Sequence, residues 1–435
     1  MQQGHSKNSQ ILLVYQCILA MCAVLAFFTN ADFFFFKTEL LPPPTKFIPL
    51  FFGASLPIWY VFVRDRLRFF LPLVVWLCCF FVLSNLSSGL SRFSDVAVEE
   101  STRRMMTIFF VLTMAVIFSG PAVVQLWARR AVFIAMVISG VNVIIELFNP
   151  LTFAVIDFVD RPVGTLRYAD RPAGLYIDPN KTAFALVLGL IFCIHLLPKK
   201  FRIPFILIVG MIIFVTFSRG AIFCWLVLLT FYSFTGVIEG KSILYWGLGT
   251  IACLTVLIAS GVIDIYQLNA AGILTDDMLG RLEWFKNPLA KEGSADSRME
   301  VAGAAIQMFL ERPFLGHGIG STLDLSTKIS THNTYLYFMA DHGLFGAALV
   351  PSLIYSSGGG MQGKYRRLGI IFVVIVSLWG CFAHTLTDDR YILISFALMA
   401  AMKATDQAQS ARGRPSPELA APPMAMTAQN RSLRS

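Results

Sequence analysis

Residues 203–236 read IPFILIVGMIIFVTFSRGAIFCWLVLLTFYSFTG and hold one charged side chain, Arg219, in 34 positions. The runs on either side of it, 203–217 and 220–236, are at or just below the 17–25 apolar residues that cross a hydrocarbon core about 30 Å thick. Similar blocks recur at 11–29, 47–63, 69–86, 105–119, 131–148, 179–197, 242–263, 332–355, 368–386 and 391–403. Twelve blocks of about 20 residues use about 240 positions and leave the rest for loops and tails. Composition agrees: 56% of the 435 residues are hydrophobic and 14% charged, against roughly 25% charged in soluble domains. That excludes a soluble enzyme, a nucleic-acid binder and a β-barrel, whose strands are short and alternating. The expected fold is an all-α polytopic membrane protein of about 12 transmembrane helices.

Working outward, the short loops set an orientation, because Lys and Arg are retained on the cytoplasmic side. With the N-terminus inside, the inside loops carry Arg64, Arg66 and Arg68; Arg129 and Arg130; Lys199, Lys200 and Arg202; Lys241; and Lys364, Arg366 and Arg367. The net charge of +9 therefore reports topology, and both termini are expected in the cytoplasm. The first apolar block is too long for a cleaved signal peptide, lacks a small-residue cleavage site and runs into Phe33–Phe36. The expected organisation is nine helices within 1–263, a large outside loop at 264–331 containing short helices, three helices within 332–403, and a disordered tail at 404–435. A second outside loop spans about 149–178.

All eight cysteines, Cys17, Cys22, Cys78, Cys79, Cys193, Cys224, Cys253 and Cys381, fall in apolar blocks. They read as small packing residues, and no spacing fits a zinc site. Neither a metal nor a cofactor is expected. The informative charges are those on the outside face: Arg161, Arg167 and Arg171 in one loop, Arg219 between two spans, and Arg281, Arg298 and Arg312 in the large loop. Acids in the large loop offer several of these a partner. Arg219 has no acid within fifteen positions in sequence. A charge beside hydrocarbon is costly and is a functional candidate by default, and a guanidinium fork suits phosphate or pyrophosphate. The alternative is that Arg219 snorkels to the headgroups.

His332 opens a span after Ser330 and Thr331, which are good helix caps. At a helix N-terminus near arginines it favours the neutral imidazole, the form that accepts a proton. His317, in Gly316-His317-Gly318-Ile319-Gly320, reads as a turn, since no strand precedes it and no P-loop Lys follows. Asp341 reads as a buried structural contact, and His384 with Asp388 as a structural pair.

The stretch His332-Asn333 … Gly343-Leu344-Phe345-Gly346 resembles the signature of bacterial O-antigen ligases and the related polysaccharide polymerases, matching at His332, Asn333, Gly343 and Gly346. Pro313-Phe314-Leu315-Gly316-His317-Gly318 is similar to the Pro-x-x-Gly-x-Gly turn that often precedes it. Ser218-Arg219-Gly220 matches the family's Ser-Arg-Gly element, and Gly174 to Asn180 its Gly…Asn segment. Four such elements in order, within about 160–350, make the likeness specific.

The resemblance implies a lipid-linked-sugar (GT-C-like) membrane glycosyltransferase of the bacterial inner membrane, with a periplasmic, metal-independent active site. The donor would be an O-antigen glycan on undecaprenyl pyrophosphate. The acceptor would be a sugar hydroxyl of the lipid A-core oligosaccharide, in lipopolysaccharide biosynthesis, with membrane lipids as the further partner and no nucleic acid. By the same analogy His332 removes the acceptor proton and Arg219 holds the pyrophosphate. A second loop arginine has Arg281 and Arg298 as candidates, with Arg161 and Arg171 as further pyrophosphate ligands. Ser218, Gly220, Asn333, Gly343, Gly346 and Asn180 support the motifs. The same signature serves an O-antigen or exopolysaccharide polymerase. The single large loop before His332 favours the ligase, and a lipid-linked oligosaccharide flippase is the non-enzyme alternative.

Overall fold

The computed structural model describes residues 2–90, 95–153, 171–241, 293–323 and 331–411, with residues 245, 249, 275 and 278. Among them the secondary structure is helical throughout. The helices are α1 (Gln2–Phe27), α2 (Ala31–Lys37), α3 (Phe47–Val61), α4 (Leu67–Leu90), α5 (Asp95–Phe118), α6 (Ala122–Phe148), α7 (Pro179–Cys193), α8 (Lys199–Val215), α9 (Arg219–Phe234), α10 (Gly293–Glu311), α11 (Thr334–Gly358), α12 (Arg366–Gly380) and α13 (Arg390–Ala411). Six helical runs among the described residues are long and apolar enough to cross a membrane, and α9 is a shorter apolar helix. This is an all-α polytopic membrane protein.

Two helices form its centre. Residues Thr182–Cys193 of α7 are all buried, and Tyr391–Ala401 of α13 likewise. Phe184 stacks on Trp379 of α12 at 4.2 Å. The outer helices are apolar on both faces: α6 buries Val132, Ala135 and Val143 yet exposes Ile134, Val137, Ile138, Val141 and Ile145. A helix apolar all round is at home only where its outer face meets lipid.

Several boundaries differ from the sequence reading, each for a local reason. The blocks 47–63 and 69–86 belong to one helical run, Pro44–Gly89, that turns back at a π-helical turn, Phe62–Arg66. Contacts with α5 require the reversal: Phe52 packs on Phe109 at 4.8 Å, Arg66 bonds Ser119 Oγ at 3.1 Å, and Phe80 lies beneath Arg104. The block 105–119 begins ten residues earlier, at Asp95, because Glu100 and Arg104 find buried partners and extend the helix past its apolar part. The block 368–386 ends at Gly380, leaving 381–389 as a compact connection. Cys381 therefore lies just outside its span. Cys17, Cys193 and Cys224 are buried as packing residues, whereas Cys22, Cys78, Cys79 and Cys381 are exposed.

The last block runs to Ala411, eight residues past 403, so the expected tail begins as helix. Lys403 Nζ bonds Ser356 O at 3.0 Å and Asp406 accepts from Gln362 N at 2.9 Å, tying that extension down. In the large loop α10 is a 19-residue helix, not a short one. The block 242–263 lies almost wholly, and the tail from 412 entirely, outside the described residues.

Candidate functional site

The helix break in α11 organises this end of the bundle. Gly343 adopts φ 61° and ψ −142°, a region open only to glycine. A Cβ there would lie 2.5 Å from Phe314 C. The break frees backbone groups that the Pro313–Gly318 turn takes up: Leu344 N donates to Pro313 O at 2.7 Å, His317 N to Ala340 O at 3.0 Å, and Gly318 N to Asp341 O at 3.0 Å. The two glycine-bearing motifs are thus halves of one backbone contact. Gly346 packs directly on Phe338 O, and His317 contacts Met308 O from the turn.

Below the break lies a buried polar cluster. Arg104 of α5 bonds Asp341 Oδ2 at 3.0 Å and Tyr337 Oη at 3.3 Å and donates to His342 Nε2. Asp341 also accepts from Gly320 N at 3.1 Å and Ser321 Oγ at 2.8 Å, and Tyr337 Oη donates to Glu100 at 3.0 Å. Asp341 is thereby the structural contact its position suggested, and its partner is an arginine the sequence reading passed over.

At the head of α11 the cap is Asn333, whose side chain accepts from Tyr335 N and Leu336 N at 3.0 and 3.2 Å, and not Thr331; Ser330 lies outside the described residues. His332 stands one residue outside the helix with φ 47°. That left-handed conformation is uncommon for a side-chain-bearing residue. Its ring meets His384 edge to face at 5.4 Å. Thr334 Oγ1 bonds Ala383 O at 2.5 Å, fixing the same connection to the helix head. Burial, with His332 beside it, pulls the His384 imidazole down to about 4.

Arg219 is the first residue of α9, half-buried, after Ser218 as N-cap and Phe217 at φ 52°. Gly220 allows Phe382 of the connection to approach, since a Cβ there would lie 3.1 Å from the ring. The Ser-Arg-Gly turn and the His332 helix head therefore converge on residues 382–384, from α9 and α11. Arg171 is buried and donates to Thr216 O and Phe217 O at 3.0 and 3.2 Å, so it clamps the backbone leading into that turn. Asn180 sits in the first turn of α7, its N–H bonded to Asp178 Oδ1 at 2.8 Å. The next residue, Lys181, reaches Asp389 at 2.6 Å. Arg161 and Arg281 lie outside the described residues, as does the side chain of Arg298 on α10.

Residues 181–350 match the family model described as O-antigen ligase. The chain resembles that family over a stretch that begins at Lys181, contains the Ser-Arg-Gly turn, the Pro313–Gly318 turn and His332, and ends within α11. No curated protein matches the chain. Among the described residues, no group of His, Cys, Asp or Glu is arranged to hold a metal. The O-antigen ligase match leaves out α5 and the 381–389 connection, and both shape the site. The connection's signal in the sequence is its polar residues His384, Thr385, Thr387, Asp388 and Asp389, ahead of the last apolar block.

Proposed function

We propose that this protein is an O-antigen ligase, transferring a glycan from undecaprenyl pyrophosphate to a sugar hydroxyl of lipid A-core at the periplasmic face of the inner membrane. The observation that supports it most is the meeting of His332 and the Arg219 turn at residues 382–384, within a stretch similar to O-antigen ligases. His332 Nδ1 or Nε2 takes the proton of the acceptor hydroxyl as its oxygen attacks the anomeric carbon. The bond from that carbon to the pyrophosphate oxygen breaks, and the electron pair leaves with the lipid pyrophosphate. Arg219, with the N-terminal amides of α9, faces the charge that grows there. Arg171 acts one step back, holding the turn that aims Arg219. Arg161, Arg281 and Arg298 complete the proposed pyrophosphate set.

The test is transfer by the purified protein from lipid-linked glycan, with and without lipid A-core. Core-linked product is expected, and its loss in Arg219→Ala with the protein still inserted and folded. Glycan–glycan products formed without the core acceptor would establish the polymerase reading instead.

A further inference from the structure

The connection 381–389 touches α9 at its first residues and α5 at its last, where Thr107 Oγ1 bonds Thr387 O at 2.8 Å. At that far end lies a cavity of about 450 Å³ between the start of α3, the first half of α5 and the start of α13. Its polar wall carries Glu99, Arg103, Asp388 and Arg390 with three threonines, and its floor is apolar, with Met106 and Phe110. The size falls within the 300–1,000 Å³ of small-molecule sites.

The charges in this wall narrow the ligand. Arg103 already bonds Glu99 at 3.1 Å and Glu100 at 2.7 Å, so an anion entering here meets carboxylates as well as the guanidinium. The carboxyl of Asp388 lines the cavity and has no hydrogen-bonding partner among the described residues; its own N–H goes to Thr385 O at 3.0 Å. Arg390, the second cation of the wall, is likewise paired, to Asp32 at 2.7 Å. Two guanidinium groups already held by carboxylates, the Asp388 acceptor, threonine hydroxyls and an apolar floor suit a neutral ligand rich in hydroxyl groups with one apolar face. A sugar ring has that chemistry. The cavity is also tied to the site through the chain: Asp388 follows His384 by four residues in the same compact connection, and the His384 ring packs on His332.

We infer that this cavity is a subsite for the acceptor glycan, in which Asp388 accepts hydroxyl hydrogen bonds from an anchoring sugar while a neighbouring sugar presents its hydroxyl at His332. The inference rests on the glycosyl-transfer reading and adds a place for the acceptor, at the opposite end of the connection from Arg219.

The experiment uses the full chain in lipid nanodiscs, with Asp388→Asn to remove the acceptor charge and Thr102→Trp to fill the cavity. Acceptor KM is expected to rise about tenfold in Asp388→Asn, the loss for one hydrogen bond to a charged group, with donor KM unchanged and kcat within about twofold. Calorimetric binding of core oligosaccharide freed of lipid A should weaken by the same factor, and this readout does not depend on turnover. Unchanged acceptor KM and unchanged binding in both variants would overturn the subsite. So would an effect confined to lipid-bearing acceptor, which would make the cavity a headgroup site. Failure of the wild-type protein to form any glycosidic product from lipid-linked glycan would instead overturn the glycosyl-transfer reading, and the calorimetric result would stand apart from it.

Discussion

His332, just ahead of α11, and His342, inside it, lie ten residues apart, yet their surroundings differ in every respect that matters chemically. His342 is fully buried, stacked on Phe338 at 6.0 Å, with Nε2 taken by Arg104. His332 is half-buried, sits outside the helix with a left-handed backbone, and touches the edge of a second imidazole. One ring is a fixed part of a packed interior, and the other is half-buried at a junction of three elements. A histidine inside a motif is therefore weighed by its burial and its backbone setting. The largest effect that could break this comparison is on turnover. His332→Ala should lower the transfer rate by about 10²–10⁴, the usual contribution of a positioned general base, with an unchanged thermal unfolding midpoint. A rate within tenfold of wild type would remove His332 from the base role.

The buried side of the comparison is tested through Arg104. Its carboxylate partner Asp341 is fully buried, so Arg104→Leu leaves a charge without its counterion, a loss of about 3–5 kcal/mol. The variant should unfold at clearly lower temperature in detergent, or fail to accumulate. Asp341 accepts from the Gly320–Thr322 turn as well, so the loss should loosen that turn before it reaches His332. Next in size is Gly343→Ala. The conformation at Gly343 costs a residue with a Cβ about 1–3 kcal/mol, and the added carbon also strikes Phe314 C and O. Here the expected result is a lowered midpoint with retained acceptor affinity in the molecules that fold.

These variants also mark how far the sequence could be read. Membrane residence and most spans were legible because hydrocarbon imposes length and apolarity on every crossing. The head of the site was legible too, since Ser218-Arg219-Gly220 and His332-Asn333 are contiguous in the chain. Arg104 was not, because its partner Asp341 is 237 positions away and no local pattern links them. The π turn at Phe62–Arg66 looked like an ordinary basic loop, since a π turn differs from it in hydrogen bonding and not in composition. Gly343 and Gly346 stood out as motif glycines, but only the backbone contacts with Phe314 and Phe338 show that they serve packing. The 381–389 connection was hidden because its first half carried the apolarity of a span while its side chains served three different helices.

The smallest effect concerns what holds the His332 ring. An edge-to-face ring pair contributes about 0.5–1.5 kcal/mol, so His384→Ala should lower kcat by at most about tenfold and leave donor and acceptor KM where they were. If the contact positions His332 through its ring shape, His384→Phe restores the rate; if His384 instead carries a proton, Phe and Ala fail alike. The pH profile separates the two again. His384 is held down to about 4 by burial and by His332, with Lys181 and Arg103 adding to the effect and Asp389 opposing it. The native state therefore refuses a proton that the unfolded chain takes near 6.5, and stability falls as pH drops from about 6.5 towards 4. Between pH 6.5 and 8 His384 stays neutral, so its replacement by Phe should leave the rate profile in that window in place. A shifted limb there would mean that the two imidazoles share a proton, and that His332 works as half of a pair.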